Sequence, residues 1–131
     1  MTIVLDTNVL VSALLKPKSH PAYVLNAILN EKVTLLFDNR ILEEYKRVLL
    51  RLRFGFSVEI VEPLLDYLES EGRFVMANYS GSLFEDDEDK KFYEVAVTGK
   101  ADYLVTGNIR HFPEAPLIIS PRDFIERELG L

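Results

Sequence analysis

The sequence predicts an α/β protein, a three-layer α/β/α sandwich around a central parallel sheet of about five strands. Short apolar runs without polar alternation, such as Ile3-Val4-Leu5 and residues 33–37, suit strands buried on both faces. Segments of helical periodicity separate these runs, an order that gives parallel strands joined by right-handed crossovers. With 131 residues and no repeat or long linker, residues 1–131 are expected to form one domain.

Residues 2–6 read as the first strand, running straight into Asp6-Thr7-Asn8 and a short helix over 9–15. Residues 16–21 form a turn-rich break with two prolines. Pro21 suits the first turn of a helix whose stripe is Leu25, Ile28 and Leu29. Residues 33–37 make a second buried strand and 39–52 a strongly helical segment, interrupted by Phe54-Gly55-Phe56. Ser57 is placed to cap a helix reaching 71, with Ile60, Leu64, Leu65 and Leu68 on one side. A short strand over 74–76, a helix over 87–99, strands over 103–105 and 117–119 and a helix over 121–128 complete the pattern.

Composition removes several function classes. Without cysteine there is neither disulfide nor zinc-thiolate site, and His20 and His111 lack metal-ligand spacing. No apolar run approaches the ~20 residues that span a bilayer, and no basic segment precedes the first apolar run. A soluble, cytoplasmic protein with no membrane partner is expected. With 21 Asp and Glu against 15 Lys and Arg the net charge is −6, which disfavours broad electrostatic binding of nucleic acid. The charges are unevenly spread, however. Lys46, Arg47, Arg51 and Arg53 cluster, while Glu85, Asp86, Asp87, Glu88 and Asp89 form an unbroken acidic run.

Three acids fall where a site would form. Asp6 ends the first strand, at the sheet edge where open α/β folds bind ligands; it is either a helix cap or the first ligand of a site. In the 39–52 helix, Ile41, Tyr45, Val48 and Leu52 share one arc, widened by Leu42 and Leu49. Glu44 lies about 95° from its centre, at the rim of the buried face, whereas Glu43 points away. An i,i+3 pair with Arg47 is the plainer explanation of Glu44. In the 87–99 helix, Asp89 shares an arc with Phe92, Ala96 and Gly99, and Lys90, Lys91 and Glu94 are expected to face outward. Asp89 would then sit on the sheet-facing side of the first turn, costly to bury without a partner and favoured in ionised form by the helix dipole.

These residues resemble the PIN-domain nucleases, and among them the compact prokaryotic group that includes VapC-type toxins. The resemblance spans residues 2–125. It rests on Leu5-Asp6-Thr7-Asn8-Val9-Leu10 with Ser12, on Leu42-Glu43-Glu44-Tyr45 through Arg51, and on Asp86-Asp87-Glu88-Asp89-Lys90-Lys91-Phe92. Ala96, Gly99-Lys100-Ala101-Asp102-Tyr103 and Val105-Thr106-Gly107-Asn108 follow. No single piece is specific; the joint order is. One departure stands out: Asn108 occupies a position where the family often has a fourth aspartate. Asparagine brings no charge, so a second metal ion is expected to be held less tightly.

The resemblance implies a PIN-like fold and a metal-dependent endoribonuclease, with Asp6, Glu44 and Asp89 as the catalytic, metal-holding acids. Hard oxygen ligands suit Mg²⁺ or Mn²⁺. Asp6 is expected to bind directly, Asp89 directly or through water, and Glu44 to support the site or orient the attacking water. Thr7, Asn8, Thr106 and Asn108 are candidates to fix carboxylates and waters, and Asp86 to supplement the acids. Glu85, Asp87 and Glu88 are expected to face solvent and Asp102 to form a turn. His111 is either a phosphate contact or a surface turn residue, and Lys46, Arg47 and Arg51 are candidates to position substrate. By the same resemblance the partners are an RNA substrate and a cognate antitoxin. Such toxins often form homodimers, which the apolar surface of residues 22–68 permits. The alternative is a catalytically weak or inactive PIN-like RNA-binding or protein-interaction module. A receiver-type phosphoacceptor domain is set aside, since residues 45–60 offer only Glu59 as an acid.

Overall fold

A computed structural model describes residues 1–77 and 87–130. Five parallel strands form one sheet in the order β3-β2-β1-β4-β5. They are β1 (Thr2–Leu5), β2 (Thr34–Phe37), β3 (Arg73–Phe74), β4 (Tyr103–Val105) and β5 (Ile118–Ile119). The helices are α1 (Thr7–Leu15), α2 (His20–Leu29), α3 (Asn39–Leu49), α4 (Val58–Glu71), α5 (Lys90–Thr98) and α6 (Pro121–Phe124), the last continued by a π turn over Ile125–Leu129. Helix α5 packs on β1, β2 and β4, and α4 on β2 and β3, while α1 contacts α2 and α3, and α2 contacts α6. The α/β class, the parallel sheet and its strand number agree with the sequence expectation.

β1 sits in the middle because its residues tolerate nothing else: Ile3, Val4 and Leu5 are fully buried. Its register places Ile3, Val4 and Leu5 against Tyr103, Leu104 and Val105 of β4. From β1 the chain builds outward through β2 to β3, then crosses over to β4 and β5. The loops after β1 and β4 therefore diverge, leaving a crevice at the carboxyl edge between them, the switch point at which such sheets bind ligands. Gly99, just past α5, allows that helix end to lie on β2; a Cβ there would stand 2.9 Å from the Leu36 and Val75 side chains.

Several local expectations need correction. α3 ends at Leu49 rather than 52, and a 3₁₀ turn over Leu52–Phe54 is closed by Gly55 at φ 72°. Leu52 leaves the buried arc and is 98% exposed. Ser57 precedes α4 but makes no side-chain cap bond there. The 87–99 helix begins as a 3₁₀ turn over Asp87–Asp89 before α5 proper. Lys91 and Glu94, expected to face outward, are both buried. The cause is a second partner for α5: besides the sheet it packs on α3, and both charges find opposite charges there.

Candidate active site at the sheet switch point

Asp6 follows β1 directly and Thr106 follows β4 directly, so strand pairing alone brings them together. The Asp6 amide donates to the Val105 oxygen at 3.0 Å, and the Thr106 hydroxyl donates to Asp6 Oδ2 at 2.7 Å. Thr106 Oγ1 in turn accepts from the Asn108 amide at 3.0 Å. Asp6 occupies the N-cap position of α1 without making a side-chain cap bond. It is only 4% exposed. Burial pushes its carboxyl above the usual range; the Thr106 hydrogen bond opposes this, Glu44 adds to it, and the Thr7 and Asn8 amides oppose it.

Glu44 reaches the same cleft from α3. It is buried whereas Glu43 is exposed, so the helix phase expected for this pair holds. Its Oε2 accepts from the Thr7 hydroxyl, and its Oε1 lies 2.7 Å from Lys91 Nζ and 3.7 Å from Arg47. The Arg47 contact foreseen from spacing is thus the looser of two, and Lys91 is the main counter-ion. Tyr45, next in sequence, is fully buried and its hydroxyl donates to the Leu5 oxygen at 2.6 Å. A second ionic tie joins α3 to α5: Arg40 binds Asp38 and Glu94, each at 2.8 Å. Burial lowers the Arg40 pKa, but Glu94 and Asp38 outweigh it and raise the pKa above its ordinary value. Asp38 Oδ1 also caps α3 by accepting from the Ile41 amide at 3.0 Å.

Asp89 stands at the N-cap position of α5, at the end of the 3₁₀ turn, without a side-chain cap bond; its side chain is 15% exposed and its Oδ2 lies 3.2 Å from His111 Nδ1. His111, beside β4's outgoing loop, therefore belongs to the site's surroundings. Asp6, Thr7, Asn8, Glu44, Arg47, Val48, Arg51, Glu88 and Asp89 line one cleft of about 340 Å³. Thr106 supports it from beneath. Asn108 is exposed and contributes its backbone amide. Asp86 lies outside the described residues, as do Glu85 and the rest of residues 78–86. Glu88 is largely exposed, as expected, yet it bonds Lys91 and approaches Arg47 at 3.9 Å. Asp102, read from the sequence as a turn former, accepts from the Thr2 amide at 2.8 Å and so ties the approach to β4 to the start of β1.

Among the described residues no three acidic or histidine side chains converge as a metal-ligand set. Glu44 is turned to Lys91 and Asp89 to His111. The donors nevertheless suit a hard divalent cation: carboxylate oxygens of Asp6 and Asp89 in one cleft, with Asp6 buried where its charge is penalised. Both Glu44 oxygens are already engaged, which favours a supporting place for it over direct ligation.

The sequence gives no sign of Arg40, points Lys91 to solvent, and offers His111 as a phosphate contact or surface turn residue without its Asp89 partner. For Lys91 a signal existed: Lys91, Glu94 and Val95 follow i, i+3, i+4 spacing, a second helix face that one apolar arc conceals.

The PIN domain family model matches residues 2–110, and the chain belongs to that family. PIN domains are generally nucleases. Uncharacterized protein MJ1680 of Methanocaldococcus jannaschii is 32% identical over 110 residues, covering 81% of this chain and 70% of that protein. Among solved structures, the crystal structure of VapBC2 from Rickettsia felis bound to a DNA fragment from its promoter superposes with a TM-score of 0.58. It shares 20% identity, with 92% of this chain and 97% of that one covered. That likeness concerns the fold.

Proposed function

We propose that this PIN domain, spanning residues 1–131, is a Mg²⁺- or Mn²⁺-dependent endoribonuclease and the toxin of a toxin–antitoxin pair. The observation that carries the reading is the buried Asp6–Thr106 bond at the sheet switch point, opening into a cleft that Glu44 and Asp89 also line. In this reading Asp6 and Asp89 hold the cation. When bound, it neutralises phosphodiester charge and activates water. Thr106 holds Asp6, Thr7 and Lys91 hold Glu44, and Glu44 orients the attacking water. Arg47 and Arg51 on the cleft rim place substrate phosphates. The antitoxin is a proposed partner because the fold is that of a protein solved as a VapBC2 assembly. A homodimer is proposed with it. No helix among the described residues is long and apolar enough to cross a membrane, which is compatible with the proposed cytoplasmic location.

The test is cleavage of RNA by purified protein with Mg²⁺ or Mn²⁺, stopped by chelator and abolished by Asp6→Asn. RNA left intact with both ions would favour the non-catalytic alternative, a binding module on the same fold.

A further inference from the structure

We infer that Lys91 is a positioning residue: an internal counter-ion that fixes Glu44 and the Asp89 turn and sets how strongly the cleft attracts a cation. The inference rests on the proposed metal-dependent reading of that cleft. Lys91 is the first-turn lysine of α5, yet only 10% of its side chain is exposed. Its ammonium lies 2.7 Å from Glu44 Oε1, and it donates to the Glu88 carbonyl at 2.5 Å and to Glu88 Oε2 at 3.2 Å. One side chain thus grips α3 through Glu44 and the 3₁₀ turn through the backbone immediately before Asp89. With Thr7 on the other Glu44 oxygen, the carboxylate cannot swing toward the Asp6 side without breaking a contact. Glu88 is largely exposed, so Glu44 is the buried charge that Lys91 chiefly balances.

Charge bookkeeping gives the consequence. The cleft lining carries four acids, Asp6, Glu44, Glu88 and Asp89, against Arg47 and Arg51. Lys91 stands behind that lining and cancels the field of Glu44 from the far side. Removing its charge makes the cleft more attractive to a cation while freeing the carboxylate it holds. Affinity and turnover should then move in opposite directions, whereas loss of a merely structural residue lowers both.

The experiment is calorimetric Mn²⁺ titration together with RNA cleavage at saturating Mn²⁺. Lys91→Gln keeps a donor for Glu44 without the charge, and Lys91→Arg keeps the charge. Lys91→Gln should bind Mn²⁺ about five- to tenfold tighter, the scale of one unit charge acting on a divalent ion through screened solvent. Its turnover should fall about tenfold or more through misplacement of Glu44. Lys91→Arg should keep wild-type affinity. The double variant Glu44→Gln with Lys91→Met removes one charge of each sign; it should fold and bring Mn²⁺ affinity back toward wild type. Unchanged or weaker affinity in folded Lys91→Gln, with wild type binding Mn²⁺, overturns the inference alone. A wild type that neither binds Mn²⁺ nor cuts RNA overturns the active-site reading and this inference with it.

Discussion

The Tyr45 hydroxyl donates a 2.6 Å hydrogen bond to the Leu5 carbonyl, tying the residue after Glu44 to the residue before Asp6. Two acids contributed by elements far apart in sequence are thereby held in register through backbone and ring rather than through their own carboxylates. Burial, then Asp6, Glu44 and Asp38, push the Tyr45 hydroxyl well above its usual pKa, so it stays a neutral donor. Tyr45→Phe should retain the fold and lose about 1–2 kcal/mol of stability in denaturant melts, the cost of an unmet buried acceptor. Cleavage should fall with it, because Asp6 and Glu44 lose their common anchor. Full activity in a destabilised Tyr45→Phe protein would show that the anchor serves folding only.

Glu43 and Glu44 are adjacent but belong to different environments. Glu44→Gln removes the buried counter-charge of Lys91, leaving it only the exposed Glu88, and should lower stability by about 3 kcal/mol, as breaking one side of a buried pair does. It should also abolish most cleavage. Glu43→Gln, on an exposed position, should stay within about 0.5 kcal/mol of wild type and cleave normally. Equal loss of cleavage from both would place the reaction outside the Glu44 side of α3.

What could be read in the sequence was whatever follows from one periodicity at a time. β1 announced itself by an uninterrupted apolar run, and Glu44 separated from Glu43 by helix phase alone. Lys91 was misplaced because α5 has two covered faces. Its second face is written in Lys91 and Glu94, residues that composition assigns to solvent until their partners on α3 are known. Arg40 escaped for the same reason, its partner Glu94 being distant in sequence. His111 meets Asp89 only because the β4 loop and the α5 cap share the sheet edge, a fact of topology.

Asp6 makes stability depend on pH in the less familiar direction. Burial raises its carboxyl in the folded state, so the folded protein holds this proton more tightly than the unfolded chain. The Asp6 contribution is therefore most favourable below the unfolded carboxyl pKa and is lost as pH rises through the raised folded value. Asp6→Asn, which still accepts from Thr106, should raise the melting temperature at neutral pH and gain less in the acidic carboxyl range. Added Mn²⁺ should stabilise wild type and leave Asp6→Asn unmoved. A melting temperature lowered by Asp6→Asn at neutral pH would refute the burial argument.

Thr106 is the hinge of a short relay in which the Asn108 amide donates to its hydroxyl and that hydroxyl donates to Asp6. Thr106→Val deletes both bonds in a fully buried position and should cost about 1–3 kcal/mol. The bond it removes is the largest of those lowering the Asp6 carboxyl, so protons should compete better with metal. The midpoint of Mn²⁺ binding against pH should move upward in Thr106→Val. An unmoved midpoint would mean that the hydroxyl orients the loop without tuning the acid.

Asn108 gives the last prediction, because the structure separates its backbone from its side chain. Its amide is committed to Thr106, whereas the residue itself is exposed and lies outside the residues lining the cleft. Asn108→Asp adds a negative charge two residues past Thr106, the hydrogen-bond partner of Asp6, while leaving the backbone relay intact. It should tighten Mn²⁺ binding only modestly, about two- to fivefold, since solvent screens an exposed charge near a divalent ion. The number of bound ions should rise only if the new carboxylate joins the coordination, because hard cations recruit added oxygen ligands directly. Turnover should change little, because tighter ground-state binding does not by itself lower the barrier. Calorimetric titration of both proteins with Mn²⁺ decides the matter: unchanged affinity and stoichiometry would make the Thr106-Gly107-Asn108 segment a backbone support for Asp6 and nothing more.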